Sequence, residues 1–483
     1  MTSRPLVSMT TSSPASPGRI DASCRLPLFA LFGGAALWLA LSSVFGLIAS
    51  LTFHQPAMFA DCAMLSHGRA FPAWSSLLIY GFCIPAGLGV GLWLLARLGR
   101  EELAKPWLIT VGAKVWHTGV LVGLIAILAG ETTGQEWLEM PRYATVILFL
   151  GFLLMAIWAF VTHTQRVEQS LYPSQWFVLA ALFWLPWILS TAVLLLQIFP
   201  VRGVVQAAVA WWFAGNLLNV WLGLAGLAAT FYFLPKLTGR PLQSRYLALF
   251  VLWTLMLFGT WTGIPAHAPL PAWMTELSGV ANLLAFIPAV AVIPILILTC
   301  RGAKVPCRGG PLCFTKFGVW SFVLASLLLA LTACPLINRV TDFTWFGQGQ
   351  NLLRIYGFFA MTMFAAIYYI LPRVVGLESL NPGRVRAHFW LGVIGTLLFA
   401  LPLVAGGILQ GLKLVSPAIP FVDVAKSTLM PFRMSTLGET LLLVGNFIFL
   451  FNVFGVIVSH LRTVGKTVYA DATAQLEPAG VKP

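Results

Sequence analysis

The chain has 483 residues, of which 59 % are hydrophobic and 9 % charged, with a formal net charge of +14. A soluble domain carries roughly 25 % charged residues, so this composition excludes a soluble globular protein. The sequence has no Walker loop and no polar stretch beyond about 25 residues to house one, which excludes ATP hydrolysis by this chain alone.

The apolar residues fall in blocks long enough to cross hydrocarbon at about 1.5 Å per residue. Backbone groups in lipid must find partners within their own segment, so the blocks are helices. An all-α polytopic membrane protein of about twelve transmembrane helices is expected. In chain order the helices are 26–53, 72–97, 106–129, 142–163, 173–199, 205–235, 244–264, 272–299, 316–337, 345–371, 387–412 and 431–460. Residues 1–25 are rich in Ser, Thr and Pro and read as a disordered tail, 26–462 as the membrane domain and 463–483 as a cytoplasmic C-terminal tail. The first apolar block is too long for a cleaved signal peptide and reads as an anchor.

Orientation follows from the loop cations. With the N-terminus inside, 20 of the 29 Lys and Arg lie in inner segments and 7 in outer loops, which puts both termini in the cytoplasm. The positive charge is therefore a topological signal with anionic-lipid contact, and no nucleic-acid partner is expected. The seven cysteines show neither CxxC nor CxxCH spacing. Cys300, Cys307 and Cys313 cluster on a cytoplasmic loop and read as free thiols.

Three stretches carry a family signature. The first holds Trp211-Trp212-Phe213-Ala214-Gly215-Asn216, then Phe231 through Lys236 with Arg240-Pro241, then Trp261-Thr262-Gly263. The second runs from Thr341-Asp342-Phe343-Thr344 through Gly347-Gln348-Gly349-Gln350 to Tyr368-Tyr369-Ile370-Leu371-Pro372-Arg373. The third holds Pro431 to Arg433, Leu437-Gly438, Leu443, Gly445 and Asn452. In order and spacing these resemble subunit I of the haem–copper oxidases, most closely the cbb3-type cytochrome c oxidases, across about 70–460. The resemblance implies a twelve-helix bundle and, as the family norm, two haems and one copper held by six histidines, imidazole being well suited to iron and copper.

Carried over position by position, those ligands are missing. The low-spin haem ligand position on the second helix is Trp74, the first copper position is Gly215, and the haem-ligand pair falls on Gln348 and Gln350. His267 lies in the region of the adjacent copper pair but out of register, where the chain is also shorter. The segment 316–337 contains neither the cross-linking Tyr nor the carboxylate that the resemblance implies. His54, His67, His163, His388 and His460 sit at helix ends or in loops, where a solvated or headgroup-facing role is expected, and only His117 lies mid-helix. No cofactor is predicted.

Intramembrane charge is costly and calls for a partner. Arg354 and Glu439 lie at similar depth, roughly 12 Å from the outer ends of their helices. Arg354 follows Gln350 by four residues, so it is expected on the face that would meet haem. Glu439 stands where the resemblance implies a small residue. The expectation is an intramembrane polar pair, Arg354 with Glu439, in the vacated low-spin haem pocket. It would be either a static packing element or a site for a small anion, a quinone headgroup or a proton relay. Lys114 is expected to snorkel to the inner headgroups.

The functional expectation is a bacterial inner-membrane, multi-pass subunit-I homologue that has lost its redox ligands. It would serve a structural or docking role among the other membrane or cytochrome subunits of a redox complex. The alternatives are a secondary transporter or a small-ligand or quinone-binding protein on the same frame, and an active oxidase with unconventional ligands.

Overall fold

The computed structural model describes residues 15–303, 309–377 and 380–476. Among the described residues twelve apolar helices follow one another: α1 Pro17–His54, α2 His67–Gly99, α3 Pro106–Ala129, α4 Arg142–Thr164, α5 Pro173–Ile198, α6 Val204–Thr238, α7 Arg245–Gly259, α8 Ala272–Cys300, α9 Pro311–Leu331, α10 Trp345–Val375, α11 Pro382–Leu414 and α12 Phe421–Leu476. Eleven are long and apolar enough to span a membrane, and α7 is a shorter apolar helix of 15 residues. With α7 counted as a twelfth crossing the number of segments is even and both ends lie on one side, which the cation bias makes the cytoplasmic side.

The first helix corrects the expected N-terminal tail. It begins at Pro17, while residues 1–14 of the expected disordered tail lie outside the described residues. Proline suits the first helical turn, where its missing N–H has no partner to lose. Ile20 and Cys24 then turn inward, and Asp21 accepts a hydrogen bond from Trp93 Nε1 at 2.9 Å and pairs with Arg97 at 3.6 Å. The polar residues that suggested disorder thus fasten the first turns to the inner end of α2. At the other end α12 continues through the beginning of the expected tail to Leu476. Cys313 is disulfide-bonded, which corrects its reading as a free thiol, while Cys24, Cys62, Cys83, Cys300 and Cys334 are free.

Three helices form the centre. The apolar windows of α2 and α6 are wholly buried inside the protein, and most of that of α10 is too. Each is interrupted by a π-helical segment, Leu77–Cys83 in α2, Asn216–Trp221 in α6 and Leu353–Ala360 in α10. A π turn adds a residue to the repeat and re-aims the side chains beyond it. The outer helices shield this trio, with α11 lying along α12 and α3 along α4.

Candidate functional site

Where α6 meets the segment after α7, two glycines stand back to back. A Cβ on Gly215 would collide with the Thr262 carbonyl oxygen and come within 3.2 Å of Gly263 Cα. Gly263 has φ +104°, which only glycine adopts readily, and a Cβ there would lie 2.8 Å from Gly215 Cα. Asn216 secures the contact. Its Nδ2 donates to the Trp212 and Thr260 carbonyls at 2.8 and 3.0 Å, while its Oδ1 accepts from Trp184 Nε1 at 3.2 Å. Position 215 is therefore closed by backbone, not merely by the absence of a side chain.

Beside this contact lies a cavity of about 510 Å³, lined by Gly215, Asn219, Gly263, Gln348, Gln350 and further residues of the outer loop ends. The structure thus brings together three of the four positions that the sequence marks. The fourth, Trp74, lies in an adjoining cleft of only about 50 Å³, which it lines with Gln348, Phe399 and Glu439. Trp74 is 3 % exposed and packs on Phe71 at 5.2 Å between ring centroids. Gly46 makes room for it, since a Cβ there would lie 2.6 Å from Trp74 Cδ1 and would also strike the Glu439 carboxylate. Tyr356 lies within electrostatic reach of Glu439 and beside Trp74, although no hydrogen bond of ordinary geometry reaches Trp74 Nε1.

The expected pairing of Arg354 with Glu439 does not form. Both side chains are buried, at 2 % and 4 % exposure, yet among the described residues no carboxylate oxygen lies within 4.0 Å of the Arg354 guanidinium. Arg354 Nε and Nη2 have no hydrogen-bond partner among those residues. The physical reason is the π segment that opens at Leu353, because counting four residues from Gln350 to Arg354 assumes an unbroken α-helical repeat. Gln350 faces the large cavity and Glu439 the small cleft, while Arg354 lines neither.

The histidines divide differently from their expected roles. His117 accepts from Trp38 Nε1 at its Nδ1 and donates from Nε2 to the Ala30 carbonyl, both at 3.1 Å, so its two nitrogens hold α3 against α1. His388 is buried rather than solvated, with Nδ1 2.8 Å from the Tyr368 hydroxyl, to which Asn452 Nδ2 also donates. His267 sits outside the cavity lining and contacts Asp342 Oδ2 at 2.9 Å.

Three carboxylates lie near the cavities in outer loops; Asp342 is read from sequence only as part of a motif, and Glu136 and Glu139 escaped that reading. Glu136 and Asp342 line the large cavity. Glu139 is buried behind Trp74's helix, where it accepts from Ser75 Oγ at 2.8 Å, Ser76 Oγ at 3.2 Å and the Trp137 backbone N–H at 3.1 Å. Burial pushes its carboxyl up to about 7 from 4.5, against those hydrogen bonds, which favour the charged form. The folded state therefore holds this proton more tightly than the unfolded chain. The resulting stabilisation is complete below pH 4.5 and is lost as pH rises through 7. Glu139→Gln should flatten the fall in stability across that window by an amount on the order of a few kcal/mol, read from melting temperatures. Parallel melting curves for variant and parent across the window would refute it.

A family model described as "Cytochrome C and Quinol oxidase polypeptide I" matches residues 27–441. The chain belongs to this family. Among similar proteins, "Cytochrome c oxidase subunit 1 homolog" of Azorhizobium caulinodans is 25 % identical over 473 residues, covering 92 % of this chain and 83 % of that one. "Cbb3-type cytochrome c oxidase subunit CcoN1" of Stutzerimonas stutzeri is 25 % identical over 394 residues, covering 78 % and 81 %. A solved heme-copper terminal oxidase dimer shares the fold, with TM-score 0.72 at 14 % identity, over 90 % of this chain and 84 % of that one. This subunit-I homologue is thus a multi-pass inner-membrane protein of the haem–copper oxidase family, and its resemblance to the cbb3 type holds.

Proposed function

We propose that this subunit-I homologue has given up the metal chemistry of its family and acts as a non-catalytic structural or docking subunit of a respiratory or redox complex. The observation that carries the reading is the closure of position 215. A copper ligand there would need a side chain where the Thr262 carbonyl and Gly263 already touch the backbone. The surrounding donor set fits the family's cofactors no better. Among the described residues the polar lining of the large cavity is carboxamides, hydroxyls and two carboxylates, with no imidazole or thiolate, and these are weak ligands for haem iron or copper. Trp74 fills the place assigned to an imidazole, as close packing of an interior requires. Retention of the frame fits a role in assembly, with cytochrome or other membrane subunits as partners carrying the electrons.

The absorption spectrum of the purified protein tests the proposal. No Soret band and no reduced α-band are expected, with iron and copper substoichiometric by elemental analysis. A haem spectrum would overturn the reading, and a chain that purifies from its native membrane as a lone monomer would overturn the docking role. The size of the cavity favours a second reading, a small-ligand-binding protein on the same frame.

A further inference from the structure

The large cavity has a polarity of its own. Among the described residues its lining includes Glu136 and Asp342 and no lysine, arginine or histidine. Three of its carboxamides are pinned by their NH₂ ends. Gln350 Nε2 donates to the Ala325 carbonyl at 3.4 Å, Asn219 Nδ2 to Thr262 Oγ1 at 2.8 Å, and Asn282 Nδ2 to Thr332 Oγ1 at 3.4 Å. Both threonine hydroxyls give their own hydrogens to backbone carbonyls, of Gly259 and Leu329, at 2.7 Å, so toward the amides they can only accept. The oxygen and nitrogen ends of all three amides are thereby assigned by the bonding network.

What these three amides leave over is acceptors, while Gln410, whose Oε1 accepts from the Trp345 N–H at 3.2 Å, leaves its NH₂ group as a donor. Asn282 is 7 % exposed, lines the cavity, and its Oδ1 is buried without any hydrogen-bond partner among the described residues. A buried acceptor in that state is costly until a donor reaches it. Aromatic faces complete the walls, among them Trp137 and Phe343. Both are held at positive φ, 64° and 56°, a conformation bulky residues rarely adopt and keep only when their surroundings impose it. Phe343 is 61 % exposed, which puts it at the cavity's outer rim.

We infer that this cavity binds a small organic cation, a protonated primary amine with an apolar or aromatic body, entering from the outer face. The ammonium supplies three donors and no acceptor to the oxygens of those three amides and of the two carboxylates. Its charge is favoured by Glu136, by Asp342, which is shared with His267 at the rim, and by the aromatic faces. An anion would meet two carboxylates, and a neutral alcohol would bring a single O–H donor and no charge to set against theirs. The inference rests on the haem-free reading, because a haem would take up the same space.

The test uses the full chain in lipid nanodiscs, titrated by calorimetry and tryptophan fluorescence with 2-phenylethylammonium, 2-phenylethanol and 3-phenylpropanoate. Saturable binding of the amine is expected, with the alcohol roughly tenfold weaker and the carboxylate not binding. Glu136→Gln and Asn282→Leu should each weaken the amine about tenfold. Glu136→Gln is an isosteric change in a loop, so it reads the charge even if Asn282→Leu fails to fold. Equal binding of the three probes, or wild-type affinity in Glu136→Gln, would overturn the inference. The absorption spectrum of the same sample separates the two readings. No Soret band and no amine binding overturns this inference alone, whereas a Soret band overturns the haem-free reading and this inference with it.

Discussion

Gly215→Ala is expected to be among the most damaging single-methyl changes in the protein. The new Cβ would drive into the Thr262 carbonyl and lie within 3.2 Å of Gly263 Cα, and both obstacles are backbone that no rotamer change can move aside. Overpacking a well-packed interior costs about 1–3 kcal/mol even where side chains can shift, so a larger penalty is expected here. The readouts are yield of folded protein and melting temperature in detergent. Gly223→Ala is a suitable control, since the nearest atoms its Cβ would meet belong to the Leu255 side chain, from 3.0 Å. By the same clash, Gly215→His is expected to destabilise the chain instead of restoring a copper site. A Gly215→Ala protein that melts like the parent would show that α6 and the 260–263 segment can separate, and position 215 would then be open to a side chain after all.

How much of this was legible in the sequence depends on which physical signal carried it. The helices were readable because each must satisfy its backbone internally over a long apolar run, and that leaves an unmistakable composition. The beginning of α1 was not, because Pro17, Arg19 and Asp21 resemble a polar tail until Trp93, Arg97 and Glu102 are found opposite them. The four positions Trp74, Gly215, Gln348 and Gln350 could be located by motif spacing, and they do gather around two adjoining cavities. What spacing cannot give is azimuth beyond a break in the helical repeat. Arg354 lies just inside the π segment of α10, where the four-residue rule placed it on the wrong face. Asn282, Glu136 and Glu139 were invisible for another reason: their significance lies in what surrounds them, three-dimensional neighbours such as Thr332 and Ser75 far away in sequence.

Arg354→Met is expected to stabilise the protein, the opposite of what an ion-paired arginine would do. A buried charge without a partner retains a desolvation penalty of several kcal/mol, and an apolar residue of similar reach removes it. Methionine keeps an unbranched stem and can adapt to the space the guanidinium leaves. A gain of about 1–4 kcal/mol, seen as a higher melting temperature, is the expected result. If Arg354 and Glu439 were paired, the same substitution would strand a buried carboxylate and cost about 3–5 kcal/mol. A double-mutant cycle with Glu439→Gln sharpens the distinction. Groups that share no contact should combine additively to within about 0.5 kcal/mol, whereas a true pair should show a coupling of about 0.5–3 kcal/mol. Destabilisation by Arg354→Met together with strong coupling would restore the pair expected from depth alone. Stabilisation with additivity would identify Arg354 as a charge kept in the membrane at a cost to stability.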